Sequence, residues 1–134
     1  MAGFIEIEHI ADRAVQVWAS TPAQLLQEAA RAMFSLMADL SAIAPLQRHE
    51  VTLDAEELES ALINWLNELL FWRETRQEMY SQFSVSLEGR QVKGWFAGQP
   101  ALPTAAVVKA ATFHDLRVRQ DEAGLWRATI VFDT

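Results

Sequence analysis

Leu58-Glu59-Ser60-Ala61-Leu62-Ile63-Asn64-Trp65-Leu66-Asn67-Glu68-Leu69-Leu70 is the stretch on which the reading of the fold turns. Leu58, Leu62, Trp65, Leu66, Leu69 and Leu70 recur at helical spacing and form a wide apolar stripe. Asp54 with Glu57 reads as a capping signal ahead of it. The spacing predicts a helix reaching Glu74 or beyond, the longest and most apolar element and the centre of the core. Asn64 and Glu68, four apart, share a face, and with Asn67 they read as a polar stripe beside the leucines.

Upstream, Thr21-Pro22-Ala23-Gln24 is a second helix start: Thr21 can cap, Pro22 suits the first turn, and Gln24 completes a capping box. Leu26, Ala29, Ala30, Met33, Leu36 and Met37 carry that helix to about Asp39. Before it, Phe4–Glu8 and Ala14–Trp18 alternate apolar and polar residues, the pattern of half-buried strands joined through His9–Arg13. Downstream, strands are expected over Arg48–Leu53, Phe83–Leu87, Gln91–Gly98, Val107–Phe113, Leu116–Arg119 and Trp126–Phe132. The expected fold is α+β: two amphipathic helices packed on a mixed, curved or barrel-like β-sheet, as one domain over residues 1–134.

Composition narrows the function classes. An apolar share of 51% supports a core, and zero cysteines exclude disulfides, thiolate metal sites and a cysteine nucleophile. No apolar run reaches the roughly 20 residues of a membrane-spanning helix, and Met1–Glu8 lacks the basic residues of a targeting peptide. A cytoplasmic protein with no membrane contact is expected. Eleven Lys and Arg against 18 Asp and Glu give a charge of −7. That balance opposes phosphate backbones on average and suits a basic protein partner or a cation, while leaving room for a local basic patch.

Chemistry-bearing patterns are sparse. The five glycines are scattered, so no phosphate-cradling loop is present, and neither a His-Glu-x-x-His pair nor a nucleophile elbow occurs. Three polar clusters remain. His9 with Asp12 reads either as a turn or as a site. Lys109 interrupts the apolar run Ala105–Ala111, where it either faces water on an edge strand or, if buried, is paired or neutral; His114 follows five residues on, where a satisfied core histidine at a strand end is the plain reading. Asp133 and the terminal carboxylate of Thr134 are adjacent oxygen donors that, beside Asp12, would concentrate negative charge suited to a hard cation; the plain alternative is a solvated chain end.

These same residues resemble the archease family. The resemblance rests on His9-Ile10-Ala11-Asp12, Ala29-Ala30-Arg31-Ala32-Met33-Phe34, Trp65-Leu66-Asn67-Glu68-Leu69-Leu70-Phe71, Lys109-Ala110-Ala111-Thr112-Phe113-His114 and Val131-Phe132-Asp133-Thr134, five weak motifs in a specific order. It implies a small, non-enzymatic accessory protein of tRNA splicing and RNA repair. The implied partner is the GTP-dependent RNA ligase that joins 3′-phosphate or cyclic-phosphate ends to 5′-hydroxyl ends, and RNA is met only through that ligase. The implied role is to promote guanylylation of the ligase and its multiple turnover.

The resemblance also implies a divalent cation, of the Ca²⁺ or Mg²⁺/Mn²⁺ class, on Asp12, Asp133 and Thr134. It implies a functional lysine at Lys109, with His9, Glu68 and His114 at polar motif positions. Ile10 replaces the family's usual Thr, Phe113 its common Tyr, and Thr134 its apolar last residue. Two hydroxyls that could order the site are thereby lost. A general protein-binding or chaperone module, with Trp72 and Trp95 on an open patch, is the main alternative. A metal-dependent phosphoryl-transfer enzyme is a further one, lacking an evident nucleophile.

Overall fold

The structure, a computed structural model, describes residues 1–8 and 13–134. The first helix, α1 (Pro22–Ser35), begins as its sequence dictates: the Thr21 hydroxyl accepts from the Gln24 amide at 3.1 Å. It stops short of Asp39. The Asp39 carboxylate instead accepts from the Ser41 amide at 3.0 Å and caps a separate 3₁₀ turn, Leu40–Ala42, the usual competition of a short acidic side chain with helix continuation. The second helix, α2 (Leu58–Arg76), is capped by Glu57 and Ser60 rather than by Asp54 and Glu57. Asp54 is already committed as the last residue of a strand, opposite Gln91.

The α+β class holds, with the strands divided into two antiparallel sheets rather than a closed barrel. Strands β1 (Gly3–Glu8), β2 (Arg13–Ala19), β6 (Ala110–Thr112), β7 (Arg119–Gln120) and β8 (Trp126–Asp133) form one. Its order is β1-β2-β8-β6, with β7 also on β8. Strands β3 (Gln47–Asp54), β4 (Glu78–Glu88) and β5 (Gln91–Pro100) form the other, in the order β3-β5-β4. β4 begins five residues earlier than its alternation announces, because Glu78, Met79 and Tyr80 are all buried and a register shift separates Tyr80 from Gln82. β6 is far shorter than Val107–Phe113, and β7 than Leu116–Arg119.

One apolar cluster joins both helices to both sheets. Trp65 lies at its centre, fully buried, with its indole N–H donating to the Leu26 carbonyl of α1 at 3.0 Å. Gly94 makes room for it: a Cβ there would stand 2.5 Å from the Trp65 ring. Gly98 sits at the irregularity of β4, where a Cβ would fall 1.8 Å from the Met79 carbonyl oxygen. Beside the core, buried Glu78 accepts from the Tyr80 hydroxyl at 2.9 Å and bonds His49 Nε2 at 2.8 Å. Trp72 and Trp95 form no open patch. Trp72 is half-buried against His49, ring centroids 4.7 Å apart, and Trp95 lies under the Arg48 guanidinium at 4.3 Å. Among the described residues no helix is long and apolar enough to cross a membrane.

Candidate functional site

The end of β8 brings together two of the residues singled out from the sequence, Lys109 and Asp133. Its Phe132 pairs with Arg13, the first residue of β2, and its Asp133 pairs with Ala110, the first residue of β6. Immediately before β6, the Lys109 amide donates to the Asp133 carbonyl at 2.8 Å. Two residues 24 apart in sequence are thus backbone neighbours, and both side chains are exposed. Exposure settles the burial question for Lys109: it carries its charge into water.

What fixes this juxtaposition is a clamp from α2. The Asn67 amide donates to the Ala111 carbonyl at 3.1 Å, and the Ala111 amide donates to Asn67 Oδ1 at 2.8 Å. A side-chain amide thereby closes the edge of β6 that faces away from β8, where unpaired backbone groups would be costly. The Thr112 hydroxyl adds a bond to the Val131 carbonyl at 2.8 Å. Asn67 is therefore a structural keystone of the site rather than part of a solvated stripe.

On the other flank, Arg13 grips Glu6 with two nitrogens, at 2.7 and 2.9 Å, and reaches the Leu36 carbonyl at the end of α1 at 3.3 Å. A cation at a helix C-terminus is favourable, so Arg13 ties the β1–β2 hairpin to α1. The hydrogen bond from Arg13 is the main reason the Glu6 carboxyl is held below its usual value. His9, Ile10 and Asp12 lie outside the described residues, so the first of the expected polar clusters has no geometry to report.

Glu68 and His114 have partners of their own. Glu68, half-buried on α2, accepts from the Trp72 indole N–H at 3.0 Å, its partner among the described residues. His114 is on the turn after β6, with Nε2 3.3 Å from an Asp115 carboxylate oxygen, and Asp115 takes a left-handed φ of 52°. Phe113 and Val107 are 56% and 45% exposed on either side of Lys109 in the chain.

Asp133 supplies a carboxylate with no hydrogen-bond or ion-pair partner among the described residues, and Thr134 follows it, also exposed. Free carboxylate oxygens of this kind match the preference of hard divalent cations. Among the described residues no group of three His, Cys, Asp or Glu side chains converges.

The geometry defines a small two-sheet α+β protein whose lysine and carboxylate stand open on a strand end. Residues 4–134 match the model of the Archease protein family (MTH1598/TM1083). A protein archease of Methanopyrus kandleri is 39% identical over 136 residues, covering 96% of each chain. One of Methanothermobacter thermautotrophicus is 30% identical, covering 99% of each. The solution structure of Methanobacterium thermoautotrophicum protein 1598 superposes with a TM-score of 0.80 at 26% identity, covering 98% of this chain and 99% of that one. A Thermotoga maritima crystal structure, described as an archease and possible chaperone, shares the fold with a TM-score of 0.70 at 23% identity, covering 96% and 94%. This chain belongs to the archease family.

Proposed function

We propose that the chain is a non-enzymatic accessory factor that activates a GTP-dependent 3′-phosphate RNA ligase, promoting its guanylylation and multiple turnover. The observation that carries this reading is the pairing of Lys109 with Asp133 at one exposed strand end, held from behind by Asn67. An exposed ammonium and carboxylate on one strand end suit contact with another macromolecule. Exposed Val107 and Phe113 supply apolar contact beside them. The charge of −7 favours approach to a basic ligase surface. RNA is then reached through the ligase.

Asp133, with Asp12 and the Thr134 carboxylate of the sequence reading, is the set that would hold a divalent cation of the Ca²⁺ or Mg²⁺/Mn²⁺ class. Such a cation supplies Lewis acidity toward phosphate oxygens. The chain's own contribution is orientation: Asn67 fixes Lys109 against β8, and Arg13 fixes the start of β2 beside it. On this reading His9, Glu68 and His114 keep supporting roles as the family's polar motif positions.

The exposed apolar residues beside Lys109 also favour a second reading, a general protein-binding or chaperone module. A multiple-turnover ligation assay with limiting ligase separates the two. Activation abolished by Asp133→Ala and by Lys109→Ala, with both variants folded, supports the ligase-specific role. Unchanged activation by both variants moves the function to a broader interface.

A further inference from the structure

The outer face of the first sheet carries a feature that the net charge conceals. Ala128, Ile130 and Phe132 of β8 point into the core, so Arg127, Thr129 and Asp133 lie on the opposite face. There a cleft of about 350 Å³ opens, lined by Arg117, Arg119 and Arg127 with Asp121, by the polar Gln16, Gln120 and Thr129, and by Val17 and Ala128. Three of the chain's 11 basic residues meet in it against one carboxylate, so the lining carries +3 −1, or +2, in a protein of −7.

Two details mark this as more than scattered surface charge. Arg119 and Arg127 are direct cross-strand partners on β7 and β8. Like charges placed directly opposite each other destabilise a sheet, so the arrangement has a cost in the free protein. The Arg127 side chain and the backbone that carries the other two arginines are also anchored. The Arg127 Nε donates to Asp121 at 2.5 Å, and its guanidinium carbon lies 5.9 Å from the centre of the Trp18 ring. Asp121 is itself anchored by the amides of Ala123 and Leu125 at 2.9 and 3.0 Å. The segment bearing Arg117 and Arg119 is pinned between them, where the Val118 amide donates to Glu59 of α2 at 3.0 Å. Arg117 and Arg119 have no partner among the described residues and present open donor forks.

We propose that this cleft binds the phosphate group of a nucleotide. A fork of planar guanidiniums recognises phosphate oxygens in bidentate fashion. A cleft at the small end of the range for ligand sites, roughly 300–1,000 Å³, suits one nucleotide rather than a long polymer track. The phosphate could come from a free mononucleotide or from the end of an RNA strand, and the chemistry is shared. The cleft lies on the same face of β8 as Asp133, its nearest lining residue on that strand face, Thr129, standing about 14 Å away at the ordinary strand rise. The inference stands on the cleft alone and is independent of the accessory role.

Calorimetric titration at low salt tests it, with uridine 3′-monophosphate, a short oligoribonucleotide ending in the same phosphate, and the unphosphorylated oligonucleotide as probes. Both phosphorylated probes, or one of them, should bind; which one does identifies the source. Arg119→Gln and Arg127→Gln should each weaken binding about tenfold or more, as loss of a charge-assisted hydrogen bond does. Arg48→Gln on the second sheet should leave binding unchanged. The free Arg119→Gln protein should melt no lower than the parent, since a repulsion has been removed. Absence of binding by every probe, equal binding of the unphosphorylated strand, or undiminished binding by the Arg119→Gln/Arg127→Gln double variant would overturn the proposal.

Discussion

Replacing Asn67 by Ala removes the clamp between α2 and β6, and its cost follows from the structure. Two hydrogen bonds are lost, at 3.1 and 2.8 Å, each contributing about 0.5–1.5 kcal/mol net. Ala111 is 4% exposed, so its amide and carbonyl are left with little water to replace the lost partner, which pushes each loss toward the upper end of that range. The sum is about 2–3 kcal/mol. For a chain of this size each kcal/mol lowers the melting temperature by about 3–5 °C, so a fall of about 6–15 °C is expected. Hydrogen exchange at the Ala111 amide should accelerate more than in β2. Asn64→Ala, an exposed change on the same helix, should stay within about 0.5 kcal/mol of the parent. Denaturant unfolding of the two variants decides the matter. If Asn67→Ala were as mild as Asn64→Ala, the clamp would not hold the site together and the argument from it would fail.

Other consequences are equally open to measurement. Tyr80 is the single tyrosine, and burial first, then its hydrogen bond to Glu78, pushes its phenol far above the ordinary value. The unfolded chain's tyrosine ionises near pH ~10. Above that pH the unfolded state releases a proton the folded state keeps, so stability is intact below it and falls as pH rises. Phenolate absorbance should therefore appear together with unfolding and not before it. Gly98→Ala drives a Cβ into the Met79 carbonyl and should cost more than about 3 kcal/mol in a denaturant titration; a loss under about 1 kcal/mol would show that β4 and β5 slide apart easily. Asp121 is held below its usual value chiefly by the Arg127 hydrogen bond. Its contribution to stability is present above the unfolded value near ~3.9 and is lost as pH falls through the folded one. In Arg127→Gln, carboxyl resonances followed by NMR should show Asp121 titrating closer to an ordinary aspartate, and an unmoved titration would count against the pair.

The local grammar of the chain carried much of the fold. Thr21-Pro22 starts α1 because a hydroxyl and a ring-fixed φ suit a helix entry regardless of tertiary context. The leucine stripe around Trp65 likewise places α2 in the core. Where tertiary partners outvoted local signals, sequence reading drifted. Asp54 resembled a cap but belongs to β3, because its pairing with Gln91 extends the sheet to that residue. Glu78-Met79-Tyr80 broke the alternation because all three side chains are buried, the charge of Glu78 being met by His49 and Tyr80.

At the site, Lys109 and Asp133 were legible from their positions in motifs and their partnership was not. Their contact runs through backbone atoms, and backbone pairing between distant segments leaves no trace in residue type. Asn67 had left a trace, a carboxamide amid leucines that needs a partner when partly buried. Arg13 followed the first motif and could have been read with Glu6 across a hairpin. The arginine cleft was hidden for a simpler reason: net charge averages over a surface that the fold divides.

The most direct test of the central claim is multiple-turnover ligation with limiting ligase, comparing the parent chain with Asp133→Ala and Lys109→Ala. Circular dichroism and melting would confirm that both variants fold. Activation by the parent that disappears in each folded variant is the predicted result. Full activation by both would contradict the claim that the strand end carries the function.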